Sequence, residues 1–287
     1  MAIRFYNNDN DFIEEDETIK LTEYAGSKNA KLSKTYQTSN NLKNYKKLNS
    51  REYYDKKEKR KKRYKIREYR TTAGIQNSMK RVKSYLLHNF DGSSNELFLT
   101  LTYEHTMNDM EKLKKDYDYF WKRLKKQYKD LEYLYVVEMQ EERKSLHLHV
   151  LLKNINHKEL FIPLETLTKL WNKGYIWVSQ INKEDTENLV IEDNKNEKTA
   201  IGRVIKYMVK LKSKRYVPKN KNIYSKSKGI VAPPVRKMTL KEAKQFFYDN
   251  DYEFHYSYSG DFISTKSGMV VGSVKGKVYK KKKKKKQ

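Results

Sequence analysis

The chain reads as an α+β protein with a central antiparallel-rich sheet and flanking helices, and three observations predict this. Short apolar runs recur at FLTLTY (Phe98 to Tyr103), YLYVVEM (Tyr133 to Met139), LHLHVLL (Leu146 to Leu152) and YIWVSQI (Tyr175 to Ile181), each with the length of a buried or half-buried strand. Between the first two, Met110, Leu113, Tyr117, Phe120, Leu124 and Tyr128 recur at three- and four-residue spacing, which is one face of an amphipathic helix. A strand, a helix and a strand in that order imply a crossover onto the same sheet. The polar run EERKS, Glu141 to Ser145, reads as a hairpin turn between the second and third strands. The sheet is expected to carry helices on one side and to lie open on the other.

Taken in order, residues 1–41 hold an acidic patch, Asp9 to Glu17, and then a polar run with little periodicity. Such composition predicts a flexible or lightly ordered arm. From Leu42 to about Phe90 the chain is rich in Lys and Arg interleaved with Tyr45, Tyr53, Tyr54, Tyr64 and Tyr69, and contains no proline. Helices broken near Gly74 are expected there. Cations neutralise phosphates and tyrosine rings stack on unpaired bases, so the functional reading of Leu42 to about Phe90 is a DNA-contacting arm; for any single residue in it a solvated charged helix is the better explanation. FLTLTY follows the turn-like DGSSN, and its threonines alternate against Phe98, Leu99 and Leu101. Beyond the histidine strand, Pro163 suits the first turn of a helix reaching about Asn172, with Gly174 a cap beyond its end. Asn182 to Lys198 is charged and reads as a loop. Thr199 to about Lys214 reads as a helix with Val204, Ile205, Met208 and Val209 on its apolar side. The division expected is an arm over 1–90, a core domain over 91–236, a small accessory segment over 237–279 (the KEAKQFFYDN helix and an FHYSYSGDFIS hairpin), and a mobile poly-lysine tail over 280–287.

The 287 residues carry 63 Lys plus Arg against 36 Asp plus Glu, a net charge of +27. That balance points to a polyanionic partner, nucleic acid first. No apolar span of membrane length and no signal-type segment is visible, so a cytoplasmic protein without a membrane partner is expected. The absence of cysteine agrees with a reducing compartment and excludes any thiolate metal site.

The chemistry centres on LHLHVLL. Alternation puts His147 and His149 on one face of the strand while Leu146, Leu148 and Val150 take the other. Folding about the EERKS turn sets Glu138 opposite His147, so a carboxylate and two imidazoles converge. A mixed nitrogen and oxygen set suits Mn²⁺ or Mg²⁺ better than a closed zinc site. The competing reading is a pair of structural histidines, an expensive way to line an apolar core. Downstream, Arg203, Tyr207, Lys210 and Lys214 share one helical side. A tyrosine flanked by cations is a candidate nucleophile for a phosphodiester, while an ordinary surface tyrosine is the alternative for one of 24.

FLTLTY, then LHLHVLL, then KYMVK (Lys206 to Lys210) resemble, in this order and spacing, the three motifs of rolling-circle replication initiators, the Rep class of the HUH endonuclease superfamily. Members serve small plasmids, phages and single-stranded DNA viruses. The resemblance covers about Glu96 to Lys210 and extends toward YSKSKGIVAPP (Tyr224 to Pro234). It implies an RRM-like topology of the HUH endonuclease kind, a divalent metal held by His147, His149 and Glu138, Tyr207 as nucleophile and Lys210 assisting near the phosphate. Thr100 and Thr102 fall in the first motif, which mainly builds the strand under the site. Arg203, Lys206 and Lys214 are the expected DNA contacts.

The resemblance further implies nicking of single-stranded DNA at an origin hairpin, a 5′-phosphotyrosine link, and a free 3′-OH that primes replication before the strand is rejoined. Some members carry two tyrosines four apart, and Arg203 holds the earlier position here. A single-tyrosine enzyme is therefore expected, with a second subunit or water completing termination, which makes a homo-oligomer one option. No Walker pattern occurs among the ten glycines, so host helicase and polymerase are expected partners. The alternatives are an HUH transposase or relaxase, although relaxases usually place the tyrosine before the histidines, and a noncatalytic basic DNA-binding or packaging protein.

Overall fold

The computed structural model describes residues 2–6, 18–37, 45–47, 52–63, 72–140, 142–180, 204, 208, 220–263 and 270–282. In chain order the elements are β1 (Ala2–Tyr6), β2 (Thr18–Tyr24), β3 (Asn29–Gln37), β4 (Tyr45–Lys47), β5 (Glu52–Asp55), β6 (Arg60–Arg63) and α1 (Thr72–Asn89). Then come β7 (Glu96–Leu101), α2 (Met110–Gln127), β8 (Leu131–Gln140), β9 (Ser145–Asn154), α3 (Leu164–Trp171), β10 (Ile176–Gln180) and β11 (Tyr224–Lys226). The chain closes with β12 (Val235–Thr239), α4 (Leu240–Asp249), β13 (Tyr252–Ile263) and β14 (Val270–Lys281). Every strand pair among the described residues is antiparallel, and the α+β class stands. Two compact units result: Glu68–Ala232, and Met1–Arg67 together with Pro233–Gln287.

The unit Glu68–Ala232 is built on a five-stranded sheet in the order β10, β7, β9, β8, β11. The run from β7 to β10 is therefore strand, helix, two strands, helix and strand with the first and third strands central, the ferredoxin-like arrangement that RRM-like topology denotes. The crossover through α2 is the one the sequence order demanded. Asp109 caps α2 by accepting the N–H groups of Glu111 and Lys112. Leu113, Tyr117, Phe120 and Leu124 then bury one stripe of the helix against Leu97, Leu99, Leu101, Tyr133, Tyr135, Val137, Leu148 and Val150. Helix α3 joins them with Leu167, Leu170 and Trp171, and each such side chain stabilises the fold by roughly 1.5–3 kcal/mol.

The opposite sheet face is covered too, which corrects the expectation of helices on one side only. Helix α1 runs unbroken past Gly74 and lays Ile75, Met79, Val82 and Leu86 on Leu134, Val136 and Leu151. Val204 and Met208, both helical, bury in the same cluster. Helix α3 is closed by Asn172 in the left-handed region (φ 42°), not by Gly174. Gly174 is needed for a different reason: a Cβ there would lie 2.5 Å from the Glu104 nitrogen and 2.6 Å from the Thr102 carbonyl oxygen, which binds the 172–175 connection tightly to the end of β7.

The second unit holds the expected accessory segment and residues 1–67 of the expected arm, while the rest of that arm belongs to the unit Glu68–Ala232. Residues 1–41, expected to be lightly ordered, supply β1, β2 and β3 to a six-stranded sheet in the order β1, β13, β14, β3, β2, β12. Ile19, Leu21, Ala30 and Leu32 pack there under Leu240, Ala243 and Phe247 of α4, whose Thr239 and Glu242 form a capping box. Of the basic stretch Leu42 to Phe90, expected as helices, Thr72–Asn89 is helical as α1, whereas the segments Tyr45–Lys47, Glu52–Asp55 and Arg60–Arg63 form the β4–β5–β6 sheet instead. Its turn has no Gly or Pro; Asp55 accepts the N–H groups of Lys57 and Glu58, Lys59 takes a positive φ of 49°, and Lys62 pairs with Asp55 and Glu58 across the hairpin. The expected C-terminal helix is present as α4, but Phe254 to Ile263, expected within a hairpin of its own, lies in the single strand β13, which pairs with β1 and β14. Lys280 and Lys281 continue β14, so the lysine run starts inside the sheet; residues 283–287 lie outside the described residues. No helix among the described residues is long and apolar enough to cross a membrane.

Candidate metal centre

Three neighbouring strands position the centre. In the β8–β9 ladder Glu138 stands directly opposite His147, and Val136 opposite His149; in the β7–β9 ladder Thr100 stands opposite His149. Directly opposed residues share a sheet face, so Thr100, His149, His147 and Glu138 converge on the side away from α2 and α3. Leu146, Leu148 and Val150 alternate into the core on the other side, as the strand period requires. A slip of one residue would exchange the two sets.

The geometry is close. His149 Nε2 lies 2.8 Å from Glu138 Oε2, His147 Nε2 lies 3.3 Å from the same oxygen, and the two Nε2 atoms are 3.0 Å apart. The imidazole rings stand edge to face, 4.7 Å between centroids at 90°. Glu138, His147 and His149 form the group among the described residues whose ligand atoms all lie within 4.8 Å of one another and could hold a metal ion. Burial opposes the charge of Glu138, yet the hydrogen bonds from His147 and His149 prevail and hold its pKa down at about 2. Burial also lowers the His149 pKa, against the pull of the carboxylate. An ionised carboxylate beside a neutral imidazole is the protonation state a divalent cation needs.

The surroundings refine the fit. With Glu138 accepting from His149 Nε2–H, the His149 Nδ1 lone pair accepts the Thr100 hydroxyl, 3.2 Å away. A cation taking the place of that proton reverses the bond, because a hydroxyl serves as donor or acceptor: Nδ1–H then donates to Thr100 Oγ1 and Nε2 turns its lone pair to the ion. Phe98 stacks on the His149 ring at 5.9 Å and 11°. It therefore shares the threonine face, not the leucine face where the sequence reading had grouped it. His147 Nδ1 is buried and finds no hydrogen-bond partner among the described residues. Two imidazole nitrogens and one carboxylate oxygen, mostly buried, fit a divalent cation of the Mn²⁺ or Mg²⁺ kind.

Tyr207, Lys210, Arg203, Lys206 and Lys214 lie outside the described residues. Val204 and Met208, on either side of Tyr207 in the sequence, are both buried in the cluster on the histidine face.

Residues 96–212 match the family described as Replication-associated protein ORF2. The matched stretch takes in β7, the β8–β9 hairpin and the KYMVK segment, so all three motifs fall inside it. The replication-associated match bears out, at the level of the family, the resemblance to rolling-circle initiators. No curated protein and no solved structure matches the chain.

Two residues beside this centre escaped the sequence reading. Thr100 reads in the sequence as a strand builder, and its parity with His149 across the ladder emerges only with the register of β7 on β9. Phe98 was misassigned because FLTLTY alternates only from Leu99 onward, with an apolar residue at the start of each face.

Proposed function

We propose that the chain initiates rolling-circle replication by nicking single-stranded DNA at an origin hairpin and later rejoining it. The observation that carries this reading is the convergence of Glu138, His147 and His149 on the sheet face where Val204 and Met208 are buried, inside a segment that matches a replication-associated family. When bound, a divalent ion supplies Lewis-acid polarisation of the scissile phosphate and fixes its orientation. Glu138 and the two histidines hold that ion, and Thr100 keeps the His149 ring turned toward it.

Tyr207 acts as the nucleophile. Its hydroxyl loses its proton, the tyrosine oxygen bonds to phosphorus, and the bond from phosphorus to the 3′ oxygen breaks in line. The leaving 3′ oxygen takes up a proton and becomes the primer end, while the 5′ phosphate stays on the tyrosine. Lys210 favours the phenolate and the developing phosphate charge, and Arg203, Lys206 and Lys214 contact the DNA backbone. Rejoining is the reverse attack by a 3′-OH. A host helicase and polymerase supply unwinding and synthesis.

The test is a gel assay with labelled single-stranded DNA from the protein's own replicon and Mn²⁺ or Mg²⁺. A covalent protein–DNA band lost with EDTA and in Tyr207→Phe is expected. Tight binding without any covalent band, on every origin fragment, would replace this reading with that of a noncatalytic DNA-binding protein.

A further inference from the structure

Among the largest exposed apolar side chains are two next to each other on the edge of the five-stranded sheet: Trp177 is 75% exposed and Tyr175 is 69% exposed. Trp177 lies on β10 opposite Thr100, and Thr100 lies opposite His149. One row across the sheet therefore runs from Trp177 through Thr100 to His149, and its members share a face. Two strand spacings, roughly 10 Å, separate the tryptophan from the histidine. Two-residue alternation puts Tyr175 on the same side.

The backbone that carries these rings is firmly held. The Tyr175 carbonyl accepts both the N–H of Thr102, at 2.9 Å, and its hydroxyl, at 3.0 Å, and Gly174 is pressed against the end of β7. The rings themselves face solvent. A rigid strand that offers aromatic faces to water, beside a phosphate-cutting centre in a chain of net charge +27, matches what unpaired nucleotides require: π-faces for the bases and cations for the backbone.

We infer that Trp177, flanked by Tyr175, is a stacking platform for an unpaired base next to the scissile phosphate, so that β10 sets the position of single-stranded DNA on the sheet. The inference rests on the nicking reading above. It adds a substrate-positioning surface that neither the metal ligands nor the tyrosine motif supplies.

The experiment measures affinity of the full chain for a labelled single-stranded oligonucleotide from its own replicon by fluorescence anisotropy, in EDTA so that no cutting occurs. Trp177→Ala is expected to bind roughly 5- to 150-fold more weakly, the range of one base–aromatic stack, while Trp177→Tyr stays near wild type. The loss should vanish for an oligonucleotide with an abasic site at the stacked position. Trp171 is buried and Trp121 is packed against the core, so quenching of tryptophan emission by the oligonucleotide should disappear in Trp177→Phe. Unchanged affinity in Trp177→Ala overturns the inference, as does a loss of self-association in the ultracentrifuge with DNA binding intact, which would make the patch an interface between copies. A Trp177-dependent affinity in a protein that forms no covalent adduct keeps the platform and removes the nicking reading; a normal adduct in Trp177→Ala with unchanged affinity does the reverse.

Discussion

Binding a cation at Glu138, His147 and His149 should stabilise the folded protein by an amount that follows from linkage. A ligand that binds only the native state adds about 2.7 kcal/mol at one hundred times its dissociation constant. The unit bearing the site spans Glu68–Ala232, a size at which 1 kcal/mol moves Tm by about 2–4 °C. Saturating Mn²⁺ should therefore raise its Tm by roughly 5–11 °C over EDTA. Glu138→Gln keeps the shape but replaces the carboxylate, whose pKa of about 2 leaves it ionised at neutral pH, by a neutral amide; the metal-induced shift should shrink to near zero. Differential scanning calorimetry of both proteins at pH 7.5, with Mn²⁺, Mg²⁺ and EDTA, measures this. An equal shift in Glu138→Gln would refute the ligand assignment, and no shift in the wild type at millimolar Mn²⁺ would refute the metal centre.

Three further outcomes follow from the same geometry. Thr100→Val removes the hydroxyl from His149 Nδ1 and should weaken Mn²⁺ binding about 10- to 100-fold, as such supporting groups do, with Thr100→Ser restoring it; titration followed by electron paramagnetic resonance of free Mn²⁺ reads the change. Leu148→Ala empties a fully buried position between the two histidines and should cost about 2–5 kcal/mol in urea unfolding; a cost below about 1 kcal/mol would mean the strand does not bury that face. Glu96 is buried, accepts the N–H groups of Asp91 and Gly92 and sits 3.4 Å from Lys153, yet burial pushes its pKa from 4.5 up to about 7. A raised carboxylate favours folding fully below pH 4.5 and loses that contribution as pH rises through 7, at most roughly 3 kcal/mol at about 1.36 kcal/mol per unit. Unfolding free energies between pH 4.5 and 8 should show this decline in the wild type and a flatter profile in Glu96→Gln; parallel profiles would assign the slope to other groups.

The core sheet was legible in the sequence because its signals are local. LHLHVLL alternates over its whole length, the α2 stripe repeats from Met110 to Tyr128, and the EERKS turn fixes the register that sets Glu138 against His147. The metal group followed from that register alone. What stayed hidden depends on contacts far apart in the chain. Strands β2 and β3 are too polar to announce themselves and are buried only because β12, β14 and α4, far later in the chain, come back to cover them. The β5–β6 hairpin turns on Asp55 and a left-handed Lys59, with none of the Gly or Pro punctuation that marks turns in a sequence. Trp177 read as one more apolar strand residue, because exposure at a sheet edge is a property of strand order and not of the strand itself.

The central claim is that this chain joins itself to DNA through Tyr207. The most direct measurement is mass spectrometry of the covalent product: react the full chain with a short single-stranded origin oligonucleotide and Mn²⁺, digest protein and DNA, and locate the nucleotide-bearing peptide. A 5′-phosphonucleotide on the tyrosine of the peptide containing Lys206 to Lys210, absent after EDTA, is the predicted result. A nucleotide on any other of the tyrosines, or cleaved DNA with no modified peptide, would contradict it.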